Sequence, residues 1–296
     1  MFLRLSAMDR IEVVQSNEYM TSTSDIQSAV VIGGTGKTGK RVAQRLVATG
    51  VETRITSRTS GTVFDWNDRG TWHAAVTGVD AAYLTYAPDL AVPESSAHVQ
   101  EFADVAQRSG VRRMVLLSGR GEPAAQKAEQ TLSESGLEWA VVQASWFAQN
   151  FSEGYLLEPI QAGHLALPVG GVGEPFIDVD DLADVAVAAL TRADLVGRVL
   201  EVTGPRTLTF GEAVDAISVA SGRSVSFETI ELQQFSEGMK DSGVPDDVVG
   251  LLAYLFSEVL DGRNEYTTGV VEDVLRRPAR DFSVFAAEAA RTGVWS

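Results

Sequence analysis

No cysteine occurs anywhere in the 296 residues, so disulfide frameworks, thiolate nucleophiles and thiolate metal sites are excluded. Histidine is nearly as scarce. His73, His98 and His164 stand far apart and show no metal-ligand spacing, so no bound metal is expected. Positive charge is also short, 24 bases against 40 acids, and the net charge of −16 argues against nucleic acid or an anionic membrane as partner. No apolar run approaches the length of a membrane span. The first 26 residues are mixed and polar and lack the long apolar core of a signal peptide. They read as a flexible tail in which Met8 and Met20 are alternative starts, and the expected location is cytoplasmic. What is present is a 45% apolar composition, enough for one large α/β domain with a smaller lobe.

The most telling segment is VVIGGTGKTGKRVAQRLVATG, residues 30 to 50. An apolar strand runs into a glycine-rich turn and then an amphipathic helix. Gly34, Gly36 and Gly39 fit G-x-G-x-x-G, and Gly33, Gly36 and Gly39 fit G-x-x-G-x-x-G. The first glycines make the turn, the middle one lets a pyrophosphate approach, and Gly39 lets the helix sit close on the sheet. The helix start, with Thr35, Lys37 and Thr38 in the turn before it, then offers N–H groups and a dipole to phosphate. Val42, Ala43, Leu46 and Val47 fall on one helical face, and Gly50 is a natural stop. This pattern reads as a dinucleotide site.

Against the acidic background, residues 33 to 60 hold Lys37, Lys40, Arg41, Arg45, Arg54 and Arg58 against the single acid Glu52. Lys40, Arg41 and Arg45 read as solvated helix-face charges. Arg58 differs, because it stands with Ser57 and Ser60 at the end of the second strand, where NAD-binding chains place a carboxylate for the ribose 2′-hydroxyl. A guanidinium pairs with a phosphate through two parallel hydrogen bonds, so NADP(H) is the expected cofactor. A third strand over 62–66 would bring Asp65 and Trp66 near the adenine, with a turn role for Asp65 as the alternative.

Short apolar strands continue to alternate with helices, which predicts a Rossmann-type, doubly wound parallel sheet. The fourth strand, 81–88, leaves Tyr83, Tyr86 and Ala87 near the cofactor, and the fifth, 112–119, ends in Ser118. Residues 122–135 read as helix, and the sixth strand, 137–147, runs into Trp146 and Phe147. With Tyr155, these aromatics are candidates for a substrate wall, or equally for core. Asp178, Asp180 and Asp181 precede a helix and read as structural, since carboxylates favour a helix N-terminus. The expected organisation is a cofactor domain over 27–204 and a mostly helical substrate lobe over 205–296. Val248, Leu251, Leu252, Leu255 and Val259 form an apolar stripe for core or lid packing. Loops after strands four to six, with the C-terminal helices, should enclose a small-molecule substrate.

The order of GGTGKTG, the second-strand arginine, FDW, VLLSG, the helix with Lys127, SWFAQNF and PFIDVDDLADVA resembles the NmrA-like atypical short-chain dehydrogenase/reductases. Within that group it is most similar to the ergot-alkaloid-type (agroclavine and festuclavine) dehydrogenases, over about residues 28–290. The resemblance implies an NADPH-binding domain, a small substrate lobe and reductase activity. It places Ser118 at the catalytic serine and Lys127 at the catalytic lysine, also a ribose-binding position. Pro123 stands where Tyr-x-x-x-Lys would have its tyrosine, and Gln143-Ala144 replaces the family's Arg-Pro. A ketone accepting hydride becomes an alkoxide, and losing a positioned acid there costs about 10²–10⁴-fold. An imine, quinone or enone demands less, so the expected activity is NADPH-dependent hydride transfer to such a hydrophobic acceptor, by a monomer or homodimer. The alternative from another class is a redox-sensing regulator that binds the dinucleotide without turning it over.

Overall fold

The computed structural model describes residues 25–296. Its strands are β1 Ser28–Ile32, β2 Glu52–Ser57, β3 Thr62–Val63, β4 Ala81–Leu84, β5 Arg113–Gly119, β6 Glu138–Ala144, β7 His164–Leu167, β8 Arg198–Val202 and β9 Ser226–Thr229. The helices are α1 Gly39–Ala48, α2 Trp72–Val76, α3 Ser95–Arg108, α4 Pro123–Ser133, α5 Asn150–Glu153, α6 Leu157–Ala162, α7 Val179–Thr191, α8 Phe210–Ser221, α9 Leu232–Asp241, α10 Asp246–Tyr254, α11 Val270–Leu275 and α12 Phe282–Arg291. Seven strands form one parallel sheet in the order β3-β2-β1-β4-β5-β6-β8. This is the doubly wound Rossmann order. The direction of winding reverses between β1 and β4, where Val31 pairs with Ile55 on one side and Tyr83 on the other.

Both faces of the sheet are covered, which is why its central strands read as unbroken apolar runs. Val30, Val31 and Ile32 are buried, as is all of Ala81–Leu84. One face packs on Val42 and Leu46 of α1 and Leu182, Val185 and Ala186 of α7. The other packs on Trp72, Phe102, Ala106 and Leu132 of α2, α3 and α4. No helix among the described residues is long and apolar enough to cross a membrane.

A third core, around Phe151, Phe176, Phe210, Phe256, Phe282 and Trp295, belongs to the smaller lobe. This lobe joins two stretches of chain. In its two-stranded parallel sheet, His164 of β7 pairs with Ser226 of β9. Residues 148–176 supply part of this lobe's core, the contribution expected of loops within 27–204, while Val271 and Val274 of α11 return to the first core.

Most of the expected tail lies outside the described residues, but its last two positions are anchored. Ile26 is buried in the first core, and Asp25 pairs with Arg112 at 3.0 Å. Three strands end earlier than expected, β6 among them at Ala144. β3 stops at Val63 because the next residues turn: Asp65 accepts from the Asn67 N–H at 2.9 Å, and the Trp66 ring folds inward. β4 stops at Leu84, after which Thr85 Oγ1 donates to the Ile32 carbonyl at 3.0 Å.

Candidate active site

The turn between β1 and α1 is built as a cradle. Gly33 has φ +71°, a backbone conformation costly for any residue with a Cβ. At Gly39 a Cβ would overlap the Gly33 carbonyl oxygen and lie 2.8 Å from Gly34 Cα, so the helix start sits directly on the turn. The Gly36 N–H closes that turn on the Gly33 carbonyl at 2.9 Å. Thr35 and Gly36 are exposed, and the Thr35, Lys37 and Thr38 N–H groups bond to no other described residue. Free N–H groups around a close-approach turn at a helix start fit a pyrophosphate.

Of the six bases clustered here, five have partners inside the protein. Lys40 and Arg41 meet Glu153 at 2.8 and 2.5 Å, and Arg45 meets Asp180 at 2.7 Å and also Asp184. These helix-face charges are ion-paired rather than merely solvated. Arg54 donates to the carbonyls of Ala75 and Thr77 at 2.9 and 2.8 Å. Lys37 Nζ donates to Asn150 Oδ1 at 2.5 Å, and burial pulls the Lys37 pKa down to about 8 against the pull of Glu153. Arg58 is exposed and has no partner among the described residues. Beside it, Ser60 Oγ donates to the Thr62 carbonyl at 2.7 Å and accepts from the Ser57 N–H, so it shapes the turn. Ser57 Oγ accepts from the Thr59 N–H at 3.2 Å. A free guanidinium with no carboxylate at the end of β2 suits a 2′-phosphate.

Beyond the C-terminal ends of β4, β5 and β6 lies a cleft of about 280 Å³, closed by α10 and the π-helical turn Leu255–Val259. Ligands of open α/β sheets occupy this position. Leu252, Leu255 and Val259 of the apolar stripe line it, as do Tyr86, Trp146, Phe147 and Tyr155. Asn150 also lines it, so one side chain touches both the cleft and Lys37 of the glycine turn.

The cleft is unexpectedly acidic. Asp89, Glu122 and Glu174 all line it. Glu174 is 3% exposed and accepts from the Trp146 N–H at 2.9 Å. Burial pushes its pKa up to about 7, offset in part by that N–H and by Arg120. Burial first, then the neighbouring Asp89, holds the Glu122 carboxyl well above the usual range, and burial also raises Asp89. Arg120 does not neutralise the group, because it bonds Glu201 at 2.5 Å and the carbonyls of Asn264 and Tyr266 at 2.8 and 2.9 Å. Two buried polar atoms of the cleft, Glu122 Oε2 and Trp146 Nε1, have no hydrogen-bond partner.

The residues singled out from the sequence divide sharply. Tyr86, Ser118, Trp146, Phe147 and Tyr155 converge on the cleft. The Ser118 hydroxyl, however, donates to Glu129 at 2.5 Å, and Gln143 Nε2 holds the same carboxylate at 2.9 and 2.7 Å. Lys127 is exposed on the side of α4 opposite buried Ala125, Ala128, Glu129 and Leu132, and it is not part of the cleft lining. Trp66 is in the core, edge-on to Phe64, Trp72 and Phe102 and tilted against Tyr86, with Nε1 donating to the Thr85 carbonyl at 3.1 Å. Asp65 is occupied by its turn. Tyr83 is fully buried, and Ala87 is exposed just before Pro88. Asp178 caps α7 through the Asp180 N–H at 2.8 Å, a structural role. Glu122, Asp89 and Glu174 escaped sequence reading because Glu-Pro at a helix start looks like ordinary capping, and burial of an acid leaves no local signal.

The chain matches the NAD(P)H-binding family model over residues 33–193. An oxidoreductase of Bacillus subtilis (strain 168), YesF, is 31% identical over 282 residues, covering 90% of this chain and 97% of that one. An agroclavine dehydrogenase of Claviceps purpurea (strain 20.1) is 30% identical and covers 80% and 88%. Among solved structures, the Citrobacter sp. triphenylmethane reductase complexed with NADP(H) superposes with a TM-score of 0.75 at 16% identity, covering 89% of this chain and 99% of that one. The glycine cradle, the strand order and these likenesses agree: the chain belongs to the NAD(P)H-binding oxidoreductase family.

Proposed function

We propose that the chain is an NADPH-dependent reductase acting on a small hydrophobic acceptor, an imine, quinone or enone. The observation that carries this reading is Asn150. It binds Lys37 of the dinucleotide turn and lines the aromatic cleft, so cofactor and acceptor sites are contiguous. A protein that only sensed the cofactor has no need of a second, aromatic cavity at that edge. Thr35, Gly36 and Lys37 would hold the pyrophosphate, and Arg58 with Ser57 the 2′-phosphate. When bound, the reduced nicotinamide supplies two electrons as hydride. The protein's part is to hold the acceptor against Trp146, Phe147 and Tyr155 and to exclude water. The names of an agroclavine dehydrogenase and a triphenylmethane reductase among its likenesses favour an organic acceptor.

The test is loss of NADPH absorbance with a panel of quinones, cyclic imines and enones, beside binding of NADPH, NADP⁺ and NADH. Turnover with NADPH preferred over NADH is expected. Equal affinity for oxidised and reduced cofactor, with no turnover on any compound, overturns the proposal in favour of a redox-sensing regulator.

A further inference from the structure

The tyrosine of a full short-chain dehydrogenase site would stand four residues before Lys127, and there the chain has Pro123. The residue just before that proline is Glu122. It sits at the N-terminal boundary of α4, but its side chain accepts no helix N–H. Instead it folds over the α-carbon of Gly119, where a Cβ would run into both carboxyl oxygens. It is 7% exposed, its Oε2 is buried without a partner, and it lines the cleft. A carboxyl buried this far and left unpartnered at a ligand cavity calls for a function.

Asp89, in the turn after β4, lines the same cleft, and its charge opposes ionisation of Glu122. The other ionisable groups near the pair are Glu129 on α4 and Tyr254 on α10. Neither is a cation, and Arg120 is spent on Glu201 and two carbonyls. Like charge and burial therefore keep one proton on the pair near neutral pH.

We propose that Glu122, beside Asp89 in the cleft lining, is the general acid of the acceptor cleft and replaces the tyrosine lost at Pro123. The proposal rests on the reductase reading above. As the acceptor carbon takes hydride, the C=O or C=N π electrons, or those of a conjugated enone, move to the heteroatom. That atom takes the Glu122 proton, giving O–H or N–H. The acceptor is reduced by two electrons, the nicotinamide cofactor is oxidised by two, and the Glu122–Asp89 pair regains its proton from solvent.

Glu122→Gln keeps the side-chain shape and cannot release a proton. With a quinone or enone, whose hydride adduct is a stabilised anion, kcat is expected to fall about 10²-fold, the low end for loss of a positioned acid. With an N-alkyl iminium, whose adduct is a neutral amine needing no proton, the fall should be much smaller, and melting temperature with NADPH affinity controls for folding. Asp89→Asn removes the neighbouring charge, so the alkaline limb of the wild-type kcat/KM profile should move to lower pH. Without any acceptor, an infrared protonated-carboxyl C=O stretch present at neutral pH should be lost in Glu122→Gln and kept in Glu174→Gln, which separates it from the partly protonated Glu174.

Equal quinone and enone turnover by wild type and Glu122→Gln, no such infrared band, or a wild type that reduces only the iminium would each overturn the assignment alone. No turnover by the wild type on any acceptor overturns the reductase reading and this assignment with it.

Discussion

Ser118 Oγ donates to Glu129 Oε1 at 2.5 Å, and Gln143 braces the same carboxylate from β6. The serine at the end of β5 is thus committed to a buried acid on α4. Ser118→Ala deletes a donor to a buried carboxylate, which costs about 1–3 kcal/mol of stability. The denaturant midpoint should fall, and a change in kcat larger than the change in stability would instead assign Ser118 to catalysis.

Lys127 presents a contrasting case, a residue at the family's lysine position on the exposed side of its helix. It is exposed, and the α4 face that packs inward carries Ala125, Ala128, Glu129 and Leu132. Lys127→Ala is expected to leave steady-state rates within about twofold, as exposed substitutions usually do. A hundredfold fall in kcat would restore the lysine to the reaction.

Arg58 is the base near the glycine turn that has no partner among the described residues. A hydrogen bond to a charged group contributes about 1.5–3 kcal/mol, so Arg58→Ala should weaken NADPH binding roughly 10- to 100-fold. NADH, which lacks the 2′-phosphate, should bind as before. Titration by cofactor fluorescence checks both, and equal losses for the two nucleotides would show that Arg58 does not read the phosphate.

Gly39→Ala tests the cradle. The added methyl would overlap the Gly33 carbonyl, which is backbone and has little freedom to move. Overpacking of this kind costs about 1–3 kcal/mol, and opening the turn should abolish tight dinucleotide binding. Wild-type melting temperature and affinity in the variant would show that the turn tolerates a Cβ.

Glu174 makes stability depend on pH in the direction opposite to an ion-paired acid. Its folded pKa is about 7 and its ordinary value 4.5. Between those values the native state binds the extra proton, so stability falls as pH rises from 4.5 through about 7 and then levels off. The gap corresponds to a loss on the order of 3 kcal/mol. Glu174→Gln can still accept from the Trp146 N–H, so it should flatten that part of the profile in urea unfolding from pH 5 to 8. An unchanged slope would mean that the carboxyl is ionised throughout.

The cofactor half was legible because its signals are local. Gly33, Gly36 and Gly39 mark a backbone requirement, the buried faces of α1 and α3 follow a 3.6-residue period, and parallel strands covered on both sides appear as apolar runs. Local patterning by itself determined the sheet, the glycine turn, the arginine in place of a carboxylate after β2 and the edge of the sheet that carries the cleft. The tertiary structure alone decided what depends on the rotation of a helix or on distant chain meeting chain. It turned Lys127 outward, drew Trp66 into the core, paired β7 with β9 across the lobe and buried Glu122 beside Asp89. Burial and proximity are properties of the folded whole: a carboxyl 33 positions from its neighbour in sequence gains its unusual proton affinity only when the two are packed together away from water.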